Sequence, residues 1–363
     1  MKKVLIISTV SRQFYLFEKA NLAALDKLGY EIHGAANYSD KNERLDEINM
    51  VHHHIDIQRS PFSYRQLKAY FQLKKLMKEE KFDLVHCHAP MGGVIGRLAA
   101  KSVGIERVIY TAHGFHFYSG APLMNWLLYY PVEKLLARYT DILVTINLED
   151  YERAKKKFKA KKVVYINGIG IDLVKIEKQS SEISLDYTLP ENSITLISVG
   201  ELNANKNHEI VIRALANVKN SNIHYLIAGE GLLKAKLKML AKELGLEEQI
   251  HLLGYRKDIP ALCKISDIFI MPSYREGLSV ALMEAMAQGL PIIASKIRGN
   301  TDLVDDNLGG NLIDPKSISM VNDAIIELTS DKELQHAYGM YNKEKIKQFS
   351  FFKILEKSME IYN

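Results

Sequence analysis

Two glutamates, Glu276 and Glu284, stand eight residues apart in the segment PSYREGLSVALMEAMAQGLP at 272–291. A glycine and a serine follow the first glutamate and precede an apolar stretch with helical spacing, which predicts a loop that leads into a helix. Backbone N–H groups at such a helix start, with the helix dipole, favour an anion such as a diphosphate. The N–H groups in question belong to Gly277, Leu278 and Ser279. Glu284, almost two turns further on, could accept hydrogen bonds from ribose hydroxyls. The alternative is that Ser279 only caps the helix and both glutamates are solvated.

A lysine occupies a second predicted loop, in VGELNANKNH at 199–208. Gly200 permits a tight turn after a strand, and Lys206 could reach a phosphate and neutralise the charge that develops on a leaving group. The alternative is a surface lysine beside a helix start. In a third loop, two glycines flank a glutamate after a strand, which suits close approach of the backbone to a nucleotide. These residues are Gly229, Glu230 and Gly231.

Histidines follow two further predicted strands. His113, in TAHGFHFY at 111–118, is predicted to hydrogen-bond a sugar hydroxyl, although a lone histidine is more often structural. His86 and His88 flank another strand end and could line an acceptor site, with packing as the favoured alternative. The tract at 52–54 consists of three histidines without partner ligands nearby, so we interpret it as a solvated strand edge and not as a metal site.

The elements that position these residues alternate between short apolar strands and helices. This alternation runs from Lys3 to about 146, pauses over 167–192, and restarts at 193. The pattern predicts two parallel α/β sheets, each covered on both faces. We interpret the pause as an interdomain linker, and 345–362 as a last amphipathic helix. Because open parallel sheets bind ligands at the carboxyl ends of their strands, the candidate residues are expected at those ends.

Composition agrees with a two-domain globular protein. The chain has 363 residues, of which 47% are hydrophobic and 25% charged, and a net charge of +5 that arises from the first half. The first apolar run is too short for a signal peptide, and no run is long enough for a membrane helix. Two distant cysteines, Cys87 and Cys263, favour a reducing compartment without disulfides. A cytoplasmic protein is therefore expected.

Two basic segments suggest contact with an anionic surface. One is a predicted helix with mixed aromatic residues and lysines at 64–81, and the other is RAKKKFKAKK at 153–162. A basic amphipathic helix can lie in the membrane interface, but a solvated helix face is an equal alternative. Nucleic acid is disfavoured because the net charge is mild and no recognition motif is present.

These motifs together resemble those of the retaining glycosyltransferases of family four, which have the GT-B fold. Glu276 and Glu284 match the E-x7-E signature, and Gly200 and Lys206 match the family's G-R-x4-K loop. The AGEG motif, LLGYRKDIP at 252–260 and AHG at 112–114 match in order. The resemblance covers essentially the whole chain. The subgroup it indicates builds bacterial capsule and exopolysaccharide repeats.

The resemblance implies a role for each matching residue. Glu276 would contact the donor sugar, Glu284 the ribose, and Lys206 with the helix N–H groups the diphosphate. His113 would lie near the donor sugar, so the expected catalytic residues are His113, Lys206 and Glu276. The remaining donor-site expectations are Gly200, Gly229, Glu230, Gly231, Tyr255 and Arg256. The acceptor side would include Arg12, His88 and His116. The family needs no divalent metal, so neither metal nor cofactor is expected.

The sequence departs from the family pattern in two places. Glu201 occupies the position of a phosphate-binding arginine, and a carboxylate cannot take over that contact. The glycine-rich loop after the first strand is replaced by STVSRQF at 8–14, where Arg12 is a possible substitute.

The prediction is therefore a GT-B enzyme with two Rossmann-like domains whose parallel sheets face a central cleft. Residues 1–172, with the helix at 345–363 packed back, would bind the acceptor, and 190–344 would bind the nucleotide sugar. We expect a UDP-linked hexose or N-acetylhexosamine as donor and a polyprenyl-diphosphate-linked saccharide as acceptor, at the inner membrane face. The alternatives are a GT-B nucleotide-sugar epimerase or hydrolase, and a sugar-binding protein without catalysis. An oxidoreductase is disfavoured because no G-x-G-x-x-G motif follows a strand.

Overall fold

The computed structural model describes residues 1–39, 42–179 and 189–363 of the chain. These residues form two compact units. Unit 1 comprises Met1–Gly170 and Phe351–Asn363, and unit 2 comprises Ile171–Ser350. Each unit is built around one parallel β-sheet.

Unit 1 has a seven-stranded sheet in the order β3-β2-β1-β4-β5-β6-β7. Its strands are β1 (Lys3–Val10), β2 (Glu31–Asn37), β3 (Val51–His54), β4 (Leu84–His88), β5 (Val108–Ala112), β6 (Ile142–Thr145) and β7 (Lys162–Tyr165). Its first helices are α1 (Arg12–Phe17), α2 (Lys19–Lys27), α3 (Arg65–Glu80), α4 (Pro90–Val103), α5 (Leu123–Leu136) and α6 (Leu148–Lys157). Short 3-10 helices lie at Glu43–Leu45 and Ala137–Tyr139.

Unit 2 has a six-stranded sheet in the order β10-β9-β8-β11-β12-β13. Its strands are β8 (Ile194–Val199), β9 (Ile223–Ala228), β10 (Ile250–Gly254), β11 (Ile268–Met271), β12 (Ile292–Ser295) and β13 (Gly310–Ile313). Its helices are α7 (Leu173–Gln179), α8 (His208–Val218), α9 (Lys234–Glu243), α10 (Ile259–Lys264), α11 (Val280–Gln288), α12 (Asn300–Leu303), α13 (Ile318–Ser330) and α14 (Lys332–Lys345), with a 3-10 helix at Ile346–Phe349.

The central strands are apolar on both sides because helices cover both faces of each sheet. In β1, Leu5 and Ile7 point into one core cluster, whereas Val4 and Ile6 point into the other. The alternation follows the two-residue period of a strand. Unit 2 repeats this arrangement with two apolar clusters of its own. The predicted α/β class with two parallel sheets is confirmed.

Each sheet has a point where the strand order reverses. In unit 1 the strands β2 and β4 pair with opposite sides of β1, and in unit 2 the strands β9 and β11 pair with opposite sides of β8. In doubly wound sheets, ligands bind outside the carboxyl ends of the strands at this point. A ligand-binding site is therefore expected in the loops after β1, β4, β8 and β11.

The end of the chain differs from the predicted single helix at 345–362. Helix α14 ends at Lys345, a 3-10 turn follows, and Ser350 is extended before the last helix, α15 (Phe351–Tyr362). Helix α15 belongs to unit 1 and packs against α2, where Ser358 Oγ donates a hydrogen bond of 2.9 Å to Asn21. A change of backbone direction at one residue is not visible in an apolar pattern that continues through it.

The predicted linker at 167–192 is also only partly a connection. Ile171 bridges to Ser350, and α7 occupies 173–179 with Ile176 in the core of unit 2. Residues 180–188 of that prediction lie outside the described part of the chain. Cys87 and Cys263 are both buried and free. Where the chain is described, no helix combines the length and apolarity that crossing a bilayer would demand.

Candidate active site

Lys206 and Glu276 meet where the strand order of unit 2 reverses. Lys206 lies in the loop after β8 and Glu276 in the loop after β11, and the two strands are neighbours. The ammonium nitrogen of Lys206 is 2.8 Å from Oε1 of Glu276, and the side chains are 19% and 13% exposed. The partial exposure leaves both groups accessible to a ligand, while the close contact fixes their relative position.

Two asparagines hold these loops together. The side chain of Asn205 donates to the carbonyl of Arg275 at 2.9 Å, and the carbonyl of Asn205 accepts from the N–H of Tyr274 at 2.8 Å. Asn207 donates to the carbonyls of Pro272 and Pro315. These contacts satisfy backbone groups that leave their strands, so the loop geometry is defined independently of the ion pair.

Helix α11 begins after Ser279, whose side chain accepts a hydrogen bond from the N–H of Leu282 at 3.4 Å. Gly289 ends the helix with a φ of +79°, the left-handed conformation that glycine adopts without strain. Ser279 is thus a helix cap, as its alternative interpretation held. The N–H groups before the cap lie in the loop that contains Glu276 and Gly277.

Glu284 is a partly buried carboxylate on α11. Burial raises the pKa of Glu284 to about 7, and no hydrogen bond or ion pair to its side chain is present among the described residues. A desolvated carboxylate without a protein partner is well suited to accept hydroxyl groups from a ligand.

Packing between two loops explains why glycines flank Glu230. A side chain on Gly229 would overlap the carbonyl oxygen of Gly200, and one on Gly231 would meet the backbone of Leu202. The two loops also exchange backbone hydrogen bonds. Glycine at 229 and 231 is therefore required by loop packing, whatever ligand binds nearby.

Of three other expected donor residues, Glu230 and Tyr255 lie at the surface, whereas Arg256 is only 17% exposed. Glu230 is exposed and pairs with Lys234 at 3.1 Å, and Tyr255 is exposed. Arg256 pairs with Asp258 in the loop after β10. Glu201, at the position of the family arginine, is exposed and accepts from Asn203 at 3.0 Å.

Unit 1 brings a buried carboxylate together with two histidines at its own reversal point. Glu18 is fully buried, and its Oε1 lies 2.9 Å from Nδ1 of His88 and 3.4 Å from Nε2 of His113. Gln13 donates to the same oxygen at 2.9 Å, and Asn21 donates to Oε2 at 2.7 Å. Burial by itself would raise the pKa of Glu18, but His88 and His113 outweigh it and hold the pKa well below the usual range.

The three groups differ in exposure. His88, at the end of β4, is fully buried, and burial lowers its pKa. Because no part of His88 is exposed, it cannot make the acceptor contact that we expected of it, and it supports His113 instead. His113, after β5, retains 22% of its side-chain exposure. His86 is tied to Tyr362 and Thr111 at 2.7 and 2.8 Å, which agrees with the packing role favoured for it.

The other two residues expected on the acceptor side are separate from this cluster. Arg12 is exposed at the start of α1, and His116 is exposed with its ring 4.6 Å from that of Tyr129. The ligand atoms of Glu18, His88 and His113 all lie within 4.8 Å of one another. This spacing could also hold a metal ion, so the expected independence from metals remains a prediction.

Sequence reasoning missed Glu18 and Gln13. Residues 14–28 have the apolar spacing of a single helix, but the structure has two helices, α1 and α2, that meet at Glu18. A pattern was available: Glu18 occupies the apolar face that also includes Phe14 and Leu25, at helical spacing. A charged residue on a buried helix face needs a buried partner, and that requirement predicts a site.

Comparisons with known proteins agree with the fold. Residues 3–147 match the family "Glycosyl transferase 4-like", and residues 179–345 match "Glycosyl transferases group 1". The EpsD protein of Bacillus subtilis is 36% identical over the whole of this chain and 96% of its own length. A UDP-Gal:α-D-GlcNAc-diphosphoundecaprenol α-1,3-galactosyltransferase of Escherichia coli is 32% identical, over 82% of this chain and 79% of the relative.

Solved structures support the same architecture. A glycosyltransferase from Rickettsia africae superimposes with a TM-score of 0.79 at 19% identity, covering 99% of this chain and 97% of that one. HepE of Anabaena in complex with UDP gives a TM-score of 0.78 at 19% identity, covering 99% of both chains. The chain therefore belongs to the group 1, GT4-like glycosyltransferases and is a hexosyltransferase with the GT-B fold.

Proposed function

We propose that unit 2 binds a UDP-linked hexose or N-acetylhexosamine and that the enzyme transfers this sugar to a lipid-linked saccharide during surface polysaccharide synthesis. The observation that supports the donor site best is the Lys206–Glu276 pair at the reversal point of the unit 2 sheet. The E. coli relative uses UDP-Gal with a diphosphoundecaprenol acceptor by its name, and HepE binds UDP.

In this proposal Lys206 neutralises the negative charge of the diphosphate, which grows as the sugar leaves. The N–H groups of Gly277, Leu278 and Ser279 bind the diphosphate oxygens, since α11 begins directly after them. Glu276 binds the sugar and Glu284 the ribose. Lys206 and these N–H groups supply the positive field that a divalent metal provides elsewhere. Activity is thus expected to persist in EDTA, and its loss on chelation would contradict this part.

The transfer is proposed to retain the anomeric configuration. The acceptor oxygen bonds to the anomeric carbon as the bond from that carbon to the phosphate oxygen breaks, and the same phosphate oxygen takes the acceptor proton. Neither Glu276 nor Glu284 acts as a nucleophile in this step. His113 of unit 1 donates a hydrogen bond to a sugar hydroxyl, and Arg12 and His116 are left as acceptor contacts on the surface of unit 1.

Calorimetric titration with UDP, GDP, ADP and TDP tests the donor proposal. UDP is expected to bind to the wild-type protein and more weakly to Lys206→Ala. A matched control is Lys236→Ala, which removes a lysine from an exposed pair with Glu209 in the same unit. Equal binding of UDP to all three proteins, or binding of another nucleotide alone, would overturn the UDP assignment.

A lipid-linked acceptor requires contact with a membrane, and the surface of α5 suits one. Six large apolar side chains are exposed there, up to 73% for Leu123, at spacings that form one stripe along the helix. They are Leu123, Met124, Leu127, Leu128, Val132 and Leu135. An exposed apolar stripe of this size marks an interaction surface.

Exposed basic side chains occur near the C-terminal end of this helix and on α3. Lys134 and Arg138 are exposed beside it, and Lys75 and Lys78 are exposed on α3, which packs with α5 on the same sheet face through α4. A helix with an apolar stripe and basic neighbours lies in the interface of an anionic bilayer. We propose that α5 inserts there. Helix α3, which corresponds to the basic helix predicted at 64–81, would then assist the insertion and not lead it.

Vesicle co-sedimentation tests this surface. Wild-type protein should bind phosphatidylglycerol vesicles more strongly than phosphatidylcholine vesicles, and the double variant Leu127→Gln, Leu128→Gln should bind neither. Met239→Gln is the control, because Met239 is equally exposed on α9 of unit 2. Unchanged sedimentation of the double variant, or a wild-type dimer in solution that the double variant abolishes, would overturn the membrane assignment.

A further inference from the structure

His113 is held by the buried cluster behind it through one ring nitrogen only. Its Nε2 lies 2.9 Å from Nε2 of Gln13 and 3.2 Å from Nδ1 of His88. In the described part of the chain, no protein group is hydrogen-bonded to its Nδ1. The ring thus has an inner nitrogen bound by the protein and an outer nitrogen available to a ligand.

The two groups nearest to the inner nitrogen, at 2.9 and 3.2 Å, are donors, and both lie closer to it than Oε1 of Glu18 at 3.4 Å. The amide of Gln13 donates one N–H to Glu18 and has a second N–H for His113. His88 is neutral by virtue of its burial, and its Nδ1 is the nitrogen that faces the carboxylate of Glu18. Because a carboxylate only accepts, His88 must hold its proton on Nδ1, and that N–H also points toward His113.

Two donors that converge on Nε2 of His113 require an unprotonated nitrogen there. In the neutral ring the proton then resides on Nδ1, since the hydrogen bond made by one ring nitrogen sets the tautomer. Nδ1 of His113 is consequently a hydrogen-bond donor, oriented by protein contacts before any substrate arrives.

Glu18 sets the orientation of both donors. Its Oε1 accepts from both Gln13 and His88, so it fixes the direction of each donor, while Asn21 holds its other oxygen. A fully buried carboxylate is costly to folding unless it is paired. Its position at the α1–α2 junction is thus explained by what it does for the two histidines.

We propose that Glu18 is a positioning residue that acts through Gln13 and His88 to hold His113 in the Nδ1–H tautomer, ready to donate to a sugar hydroxyl. This inference rests on the proposed function for the role of the N–H group, but the tautomer itself does not depend on it. Preorganised donors of this kind contribute to catalysis because they need no reorientation during the reaction.

Long-range ¹H–¹⁵N NMR of the histidine rings in the full-length protein tests the proposal directly. Wild-type His113 is expected to show a protonated Nδ1 and an unprotonated Nε2. Glu18→Met, which removes the acceptor at similar volume, is expected to give a mixture of tautomers, whereas Glu18→Gln keeps an acceptor oxygen and should largely preserve the wild-type spectrum. Gln13→Met provides a second variant if Glu18→Met does not fold.

Kinetics give an independent measurement. In metal sites, loss of a group that orients a ligand histidine lowers activity about ten- to a hundredfold. By analogy, we expect Glu18→Met to lower kcat in this range with little change in the donor KM. The control is Glu133→Gln, since Glu133 is a buried carboxylate of the same unit, paired with Arg97 at 2.8 Å. It should lower the melting temperature without altering the His113 tautomer.

Three results would overturn the proposal. The first is an Nε2–H tautomer of His113 in the wild type, and the second is an unchanged His113 spectrum in both Glu18→Met and Gln13→Met. The third is tight binding of Zn²⁺ that shifts the His88 and His113 resonances at one equivalent, because this would make the cluster a metal site. If His113→Ala turns over normally while the tautomer behaves as expected, the proposed catalytic role of His113 fails and the positioning by Glu18 stands.

Discussion

Lys206 and Glu276 are 70 residues apart in the chain and 2.8 Å apart in space. The contact joins the loops that follow two adjacent strands, β8 and β11, at the point where the strand order of the unit 2 sheet reverses. An anionic ligand at this point would share the ammonium group with Glu276. In the proposed donor site, the glutamate would orient the lysine before binding, and the lysine would orient the glutamate for a sugar hydroxyl.

Loss of either partner is expected to remove most turnover. Lys206→Ala deletes the positive charge opposite the leaving diphosphate, and an effect of about 10²–10³ on kcat is typical when one such stabilising group is removed. Glu276→Ala should have a comparable effect. The two changes should be less than additive, because each also releases the other partner. Steady-state rates of the single and double variants measure this, and near-normal turnover of Lys206→Ala would remove it from the site.

Glu284 should make stability depend on pH. Its folded pKa is raised from the ordinary 4.5 to about 7, so the neutral form is favoured in the native state. Its contribution is complete below the unfolded pKa and is lost as pH rises through the folded one, by about 1.4 kcal/mol per pH unit. Wild type should therefore lose stability relative to Glu284→Gln between about pH 4.5 and 7. Urea unfolding across this range checks the sign, and parallel curves would contradict it.

The ionisation of Glu284 should also make the affinity for UDP depend on pH. If the ionised carboxylate accepts the ribose hydroxyls, UDP affinity should rise as pH increases through about 7. Glu284→Gln should bind UDP more weakly than wild type at high pH and should keep only the pH dependence that the terminal phosphate of UDP contributes. Calorimetry at pH 6 and pH 8 compares the two proteins, and equal pH dependence would separate Glu284 from the ribose.

Gly299 is predicted to be essential for the loop that contains Glu276. It has a φ of +86°, and a side chain there would overlap the carbonyl oxygen of Gly277. Gly299→Ala must therefore displace the loop as well as adopt a strained backbone. Gly245→Ala is the matched control, with a φ of +69° and open space around it. Gly245→Ala should lose about 1–2 kcal/mol for the backbone. Gly299→Ala should lose more, because its ψ of −48° lies outside the left-handed helical region, and only Gly299→Ala should lose turnover. Equal turnover of the two variants would contradict the loop contact.

Arg97 should contribute to stability without a role in the reaction. It is fully buried on α4, donates to Glu133 at 2.8 Å and to the carbonyl of Gly93 at 2.8 Å, and lies 3.8 Å from the ring centroid of Tyr110. Arg97→Met leaves Glu133 buried without its charge partner, which costs about 3–5 kcal/mol. Denaturant unfolding measures the loss. Turnover at low temperature should be retained, and a catalytic defect without destabilisation would contradict this assignment.

Much of this fold is predictable because its strands are uninterrupted apolar runs separated by helices. Segments such as 268–271, with glycine- or proline-marked turns after them, define both the strand and the loop that follows it. The donor-site candidates follow from the same rule, since the carboxyl ends of parallel strands locate ligands without knowledge of the fold's details.

The unit 1 cluster could not be predicted in the same way. Glu18 comes from a helix junction, His88 from a strand end and His113 from a loop. Their convergence depends on the strand order, which the sequence does not specify. The packing requirement for glycine at 229 could not be predicted for a similar reason. The group that it packs against, the carbonyl of Gly200, is distant in sequence. Contacts between loops are set by topology, whereas local propensity describes only one segment at a time.

The most direct test of sugar transfer to a lipid-linked acceptor is nucleotide release from a UDP-sugar by the purified enzyme, with and without a bacterial lipid extract as the source of acceptor. UDP release is expected to rise with the extract, the sugar to appear in the lipid fraction, and both to be lost in Lys206→Ala but not in Lys236→Ala. UDP release that is independent of the extract, with no sugar in the lipid fraction, would contradict a lipid-linked acceptor and indicate hydrolysis instead.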